Sequence, residues 1–276
     1  MRRPLTLLTI STIAAGCAGH SASPASSAPA AGPAAAARRE APTLRYAAGT
    51  SRYHTLTEVS QDVMGQAQTF DTHTFLSAVA SSAGANLGFA ITIDSMTTNA
   101  PGAEGLAGVR GHVVNVVVSP SGQPVSITIA DSTNPAMLQA SEGLRELLPQ
   151  LPEGPIAAGS TWTDTVTRHV PAPDADLTLT VTRQHRVVGW EEHDGVRALH
   201  IATTGTYTMT GTGSAQGQSL EFTGAGRNGA EHFVSAAGVY LGGTSADTAD
   251  VNVNVVSAGM QVQVHRTQRS TVTRLP

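Results

Sequence analysis

The sequence of 276 residues contains one cysteine and no lysine. A single thiol, Cys17, excludes an internal disulfide and a thiolate metal cluster. The absence of lysine excludes a P-loop, a Schiff-base enzyme and Ser-x-x-Lys acyl transfer. All sixteen Lys/Arg positions are arginine, the net charge is −4 and no basic cluster occurs, so nucleic acid is not an expected partner. Neither H-E-x-x-H nor G-x-S-x-G occurs, which leaves no local signature for a zinc enzyme or a nucleophile elbow. Long apolar runs are scarce as well. The stretch from Leu5 to Ala15 is too short to span a bilayer, which takes about 20 residues.

That stretch has another use. Arg2 and Arg3 form a positive start, Leu5 to Ala15 an apolar middle, and Ala14-Ala15-Gly16 places small residues before Cys17. The pattern resembles a bacterial lipobox, with Ala14 where Leu is commoner. The resemblance implies a signal peptide over 1–16, cleavage before Cys17 and a lipid on Cys17, which would anchor the chain in the cell envelope. The absence of Asp after Cys17, at Ala18, resembles the sorting pattern for the outer membrane, facing the periplasm, in a diderm bacterium. The bland alternative is an ordinary secreted protein in which Cys17 is incidental. From Ala18 to Pro42 all residues except His20, Arg38, Arg39 and Glu40 are Ala, Ser, Pro or Gly. Such a composition cannot offset the entropy of ordering. The segment 17–42 therefore reads as a lipidated cysteine and a flexible linker, with ends about 25–30 Å apart.

Beyond residue 42 the apolar residues alternate with polar ones. Leu177, Leu179 and Val181 alternate with threonines, and Val251, Val253 and Val255 with asparagines. Period two means strands with one buried face. Turn residues separate them at Pro120-Ser121-Gly122, Asp194-Gly195, Gly211 to Gly217 and Asn228-Gly229, and Asp194-Gly195 has the form of a hairpin turn. The expected class is mainly β, with curved antiparallel sheets of half-barrel form. One segment departs from the pattern. Asn134-Pro135 can cap a helix whose face carries Met137, Ala140, Ser141, Leu144, Leu147 and Leu148. Its charged residues Glu142, Arg145 and Glu146 would face water. The flanking blocks, 43–133 and 150–276, share two matches in the same order. Ala47 to Thr57 matches Ala157 to Thr167, and Val118 to Gly122 matches Val234 to Gly238. The chain thus reads as two related β-rich repeats joined by a connecting helix over 134–149. They would form either two half-barrels or one larger sheet.

Leu148 to Trp162, in which a helix and a proline-rich turn lead to a Gly-x-x-Trp strand start, resembles a segment of uncharacterised bacterial lipoproteins. Those families resemble the half-barrel carriers of lipoprotein localisation, in which a curved sheet holds helices against an apolar cavity. The resemblance implies that fold and an apolar ligand, and it carries over no functional residues. Independently of the resemblance, their large apolar side chains make Trp162, Trp190, Met137, Leu144 and Leu148 candidate cavity-lining residues, although a tryptophan at a strand end is more often core packing. No cofactor is expected. Gly224 to Gly229 matches G-x-G-x-x-G but lacks the helix that a dinucleotide needs, so it reads as a turn. Among ten histidines, Asp71-x-His73, Glu191 to Asp194 and Glu231-His232 are the densest groups, and none has metal-site spacing. Three functional classes follow. The first is a membrane-anchored, non-catalytic binding module for a lipid or other apolar ligand. The second is an envelope structural or assembly component that binds another protein. The third is an envelope hydrolase.

Overall fold

Alternation at this density folds into one sheet. The computed structural model describes residues 43–276 apart from 102–107, 131–133 and 173–174. The expected signal peptide, Cys17 and the linker to residue 42 lie outside the described residues. In chain order the strands are β1 (Gly49–Val63), β2 (Gln66–Ala83), β3 (Asn86–Thr98), β4 (Val113–Val118) and β5 (Pro124–Ile129). After helix α1 (Pro135–Arg145) come β6 (Thr161–Ala172), β7 (Ala175–His193), β8 (Val196–Ala215), β9 (Gln218–Ser235), β10 (Tyr240–Val255) and β11 (Met260–Leu275).

All eleven strands belong to one antiparallel sheet in the order β5-β4-β3-β2-β1-β11-β10-β9-β8-β7-β6. The sheet is curved and open, so of the two arrangements expected for the repeats the larger sheet is the observed one. The matched segments occupy equivalent places in two five-strand meanders, β1–β5 and β6–β10. The second of the two matches also shares geometry. In one turn Gly122 N–H donates to Ser119 O and Gln123 N–H to Ser119 Oγ; in the other Gly238 N–H donates to Ser235 O and Val239 N–H to Ser235 Oγ. The extended segment Leu44–Ala47 threads between these turns: Tyr46 N–H donates to Pro120 O and Ala47 N–H to Gly238 O.

Register shifts at Phe75/Leu76, Val187/Gly189 and Tyr240/Gly242 insert bulges, which bend strands and increase their twist. They lie next to the larger apolar core. There Leu76, Ile91, Ile93, Val114, Leu199, Ile201 and Val234 share one face of the sheet and bury Met137 and Leu144 of α1 against it. A second core on the same face joins Leu177, Leu179, Val181, Tyr207, Met209 and Phe222.

Several expectations are corrected. Helix α1 is shorter than 134–149, ending at Arg145 with an i to i+3 turn in which Leu147 N–H donates to Leu144 O. Pro149 disfavours helical geometry at Leu148, so the helix does not run on to 149. Asn134 caps as expected, accepting from the amides of Ala136 and Met137. Asn228-Gly229 and the G-x-G-x-x-G segment are not turns but the interior of β9. Their glycines serve close packing: a Cβ on Gly226 would lie 2.3 Å from the Tyr207 ring. The hairpin at Asp194-Gly195 is present with positive φ at both residues, the type I′ form.

Candidate functional site

The concave face has three zones along its strands. At one end α1 covers the larger apolar core; at the other the second core fills the curl of the sheet. Between them lies a polar band, and the site forms where α1 meets it.

On one side of α1 is a cavity of about 170 Å³. Leu76, Ile93, Met96, Leu144, Leu147 and Val272 give it apolar walls, with Tyr240 beside them. Thr55, Thr57, Thr74, Ser245 and Ser270 add hydroxyls on the side away from the helix. On the other side a larger slot of about 320 Å³ runs between the sheet edges. Gln123 and Pro124 at β5 and Val166, Thr167 and Arg168 of β6 contribute to it, with Leu148 and Pro149 following the helix. Glu146 and His232 line both spaces, so the last turn of α1 is the partition between them.

The expected water-facing side of α1 is corrected as well. Glu142 and Glu146 are only 12% and 14% exposed, because β6 and β7 bring arginines over them. Arg168 pairs with Glu142 at 3.3 Å and with Glu146 at 2.9 Å, and Arg183 reaches Glu146 at 2.7 Å. Burial alone would raise the Glu146 pKa, but Arg183 and Arg168 outweigh it and hold the carboxyl below its ordinary value. The network continues to Asp164, which is 3.8 Å from Arg183 and 2.7 Å from His185 Nε2. Burial opposes charge at Asp164 too, and the His185 hydrogen bond with the Arg183 charge turns the balance downward. His185 Nδ1 lies 2.9 Å from Thr203 Oγ1, completing a buried Thr203–His185–Asp164 chain in the wall of the slot. Thr203 lies within the ladder, opposite His185 of β7 and Ala230 of β9.

Further along the band, Tyr207 donates to Asp247 at 3.1 Å. Burial pushes the Asp247 carboxyl up to about 7, against the lowering effects of that hydrogen bond and of Arg266. His232 is pulled down to about 3 by desolvation, helped by the positive charges of His185 and Arg183. It is therefore a neutral imidazole near pH 7, hydrogen-bonded to Tyr240 through Nδ1 at 3.2 Å.

Of the five candidate lining residues, the structure brings two to these spaces. Leu144 lines the apolar cavity and Leu148 the slot. Met137 is fully buried in the larger core. Trp162 and Trp190 pack against that core without lining either space: Trp162 stacks on His185 at 5.1 Å, and Trp190 lies beneath the Arg197 guanidinium at 5.6 Å. Glu146, Arg168, Arg183 and His185 were not singled out from sequence. For the three on strands the visible signal is a polar side chain where the buried-face alternation expects an apolar one, Arg168 (with Asp164) in β6 and Arg183 and His185 in β7, whereas Glu146, at the end of α1, reads only as a helix-surface charge.

No family model and no curated protein matches the chain. Three solved structures are similar over most of their length. DynF from the dynemicin biosynthesis pathway of Micromonospora chersina is 10% identical, with 86% of each chain covered and a TM-score of 0.24. OccK2 (OpdF) of Pseudomonas aeruginosa is 7% identical over 83% of this chain and 98% of its own, with a TM-score of 0.26. A DUF1329 family protein from Desulfovibrio piger is 10% identical over 79% and 84%, with a TM-score of 0.17. Similarity at these scores carries neither a fold assignment nor a function.

Proposed function

We propose that the chain is a non-catalytic binding module of the cell envelope, held to a membrane by lipid on Cys17, whose concave face takes an apolar or amphiphilic ligand. The observation that carries this is the cavity under α1, apolar on the helix side and hydroxyl-lined on the other. Its volume of about 170 Å³ resembles the roughly 150 Å³ engineered cavity that binds benzene. It falls short of the roughly 300–1,000 Å³ of drug-sized sites. A short apolar segment fits as the structure stands, and a full acyl chain requires α1 to shift.

The test is native mass spectrometry of the exported chain from Thr43 to Pro276, which contains every described element, followed by lipid extraction under denaturing conditions. A stoichiometric lipid is expected, and Leu144→Trp, which fills the cavity, should displace it while the protein stays folded. An empty, stable monomer would count against the proposal. One observation favours a second reading, an envelope hydrolase. The Thr203–His185–Asp164 chain has the hydrogen-bonded order of nucleophile, base and orienting carboxylate. In the same preparation, hydrolysis of short-chain esters that disappears in Thr203→Val would favour it over the binding module.

A further inference from the structure

Among the described residues no group of three or more His, Cys, Asp or Glu is arranged to hold a metal ion. Two imidazoles on the convex face come close to doing so. His54 of β1 and His73 of β2 sit diagonally across the β1–β2 pair, since His54 lies opposite Phe75 and His73 opposite Leu56. His54 Nε2 and His73 Nδ1 are 3.1 Å apart. The far nitrogen of His73, Nε2, is 3.2 Å from Asp71, and Phe75 stacks on His54 at 4.6 Å.

We propose that His54 and His73 form a two-nitrogen site for a borderline transition-metal dication such as Zn²⁺, Ni²⁺ or Cu²⁺, with Asp71 orienting His73 from outside the coordination sphere. Distance is the first argument. With metal–nitrogen bonds of about 2.0–2.1 Å, two nitrogens 3.1 Å apart subtend an angle of about 95–100°, between the cis angles of octahedral and tetrahedral ions. The donors therefore need only tilt, not separate. The carboxylate is the second. An acid on the distal nitrogen of a ligating histidine fixes its tautomer and raises its basicity, and Asp71 leaves the Nδ1 lone pair of His73 free for a metal. Stiffness is the third, because β1 is paired on both sides, with β2 and β11. His73 is 41% exposed, so water or a ligand's own donor can complete the coordination. In the metal-free pair, with His73 donating Nε2–H to Asp71, His54 donates Nε2–H to His73. Coordination moves that proton to His54 Nδ1, with no net release.

The test is titration of the chain from Thr43 to Pro276 with zinc chloride by calorimetry, together with nitrogen NMR of the histidines. One site is expected, with His54 changing tautomer on zinc addition. His54→Ala and His73→Ala should each weaken binding tenfold or more. Asp71→Asn should weaken it less, and His265→Ala should leave it unchanged. All these side chains are on the convex face, so folding is checked by circular dichroism. Uptake that survives His54→Ala and His73→Ala, or falls equally in His265→Ala, would overturn the site.

Discussion

At the scale of single residues, Asp247 is the most consequential side chain in the polar band. Its carboxyl is 4% exposed and its pKa is lifted from 3.8 to about 7. The folded protein therefore holds a proton that the unfolded chain releases near pH 4. Between those values the native state binds more protons, so stability falls as pH rises from about 4 to about 7. Asp247→Asn removes the titrating group while keeping an acceptor for Tyr207. The variant should lose that slope and be more stable than the parent at pH 8 by about 2–4 kcal/mol, measured by urea denaturation across pH. The same scale shows where the sequence was opaque. Asn228-Gly229 looks like a hairpin signal, yet Asn228 packs into the band against Gly205, where a Cβ would lie 2.3 Å from the Asn228 Oδ1. Only the facing strand reveals why glycine is there. Met64-Gly65 and Gln216-Gly217 make the opposite point. Both have positive φ at both residues, as in type I′ turns, but their first residues lack the Asn or Asp that usually announces one.

At the scale of elements, α1 is held by unlike forces on its two sides. Met137 and Leu144 enter the apolar core, and Glu142 and Glu146 face Arg168 and Arg183. A buried ion pair contributes little net stability, but losing one partner leaves an uncompensated charge. Glu146→Ala is expected to destabilise by about 3–5 kcal/mol, whereas an exposed surface charge such as Glu58→Ala should change stability by under about 0.5 kcal/mol. Chemical denaturation of the two variants distinguishes these outcomes. The helix itself was legible, because its capping Asn134 and its apolar face are local. The ion network was not, because it requires β6 and β7 to return beside α1. The alternation of Leu177, Leu179 and Val181 reports which face is buried, while Arg183 and His185 continue that face as charge.

At the scale of the whole molecule, the first and last strands meet in the middle of the sheet. Twelve residue pairs join β1 to β11 across nearly the full sequence, and without them each five-strand meander would expose a long edge. The two blocks read from sequence are therefore not expected to melt separately. Scanning calorimetry should show one transition, and two resolved transitions would mean that each block folds as its own unit. Contacts this distant in sequence impose a large loop-closure entropy, so slow folding is expected.

The segment Leu44–Ala47 sets how a load enters this molecule. It does not trail from a strand end but passes between the twin turns, with Leu44 and Tyr46 buried and the Tyr46 hydroxyl donating to Pro149 O at 2.7 Å. Tension on the chain before Thr43 would therefore reach the interior before it reached any strand. It would arrive at the proline run that closes α1, beside the slot. A chain tugged at its N-terminus would feel the pull at its concave face first.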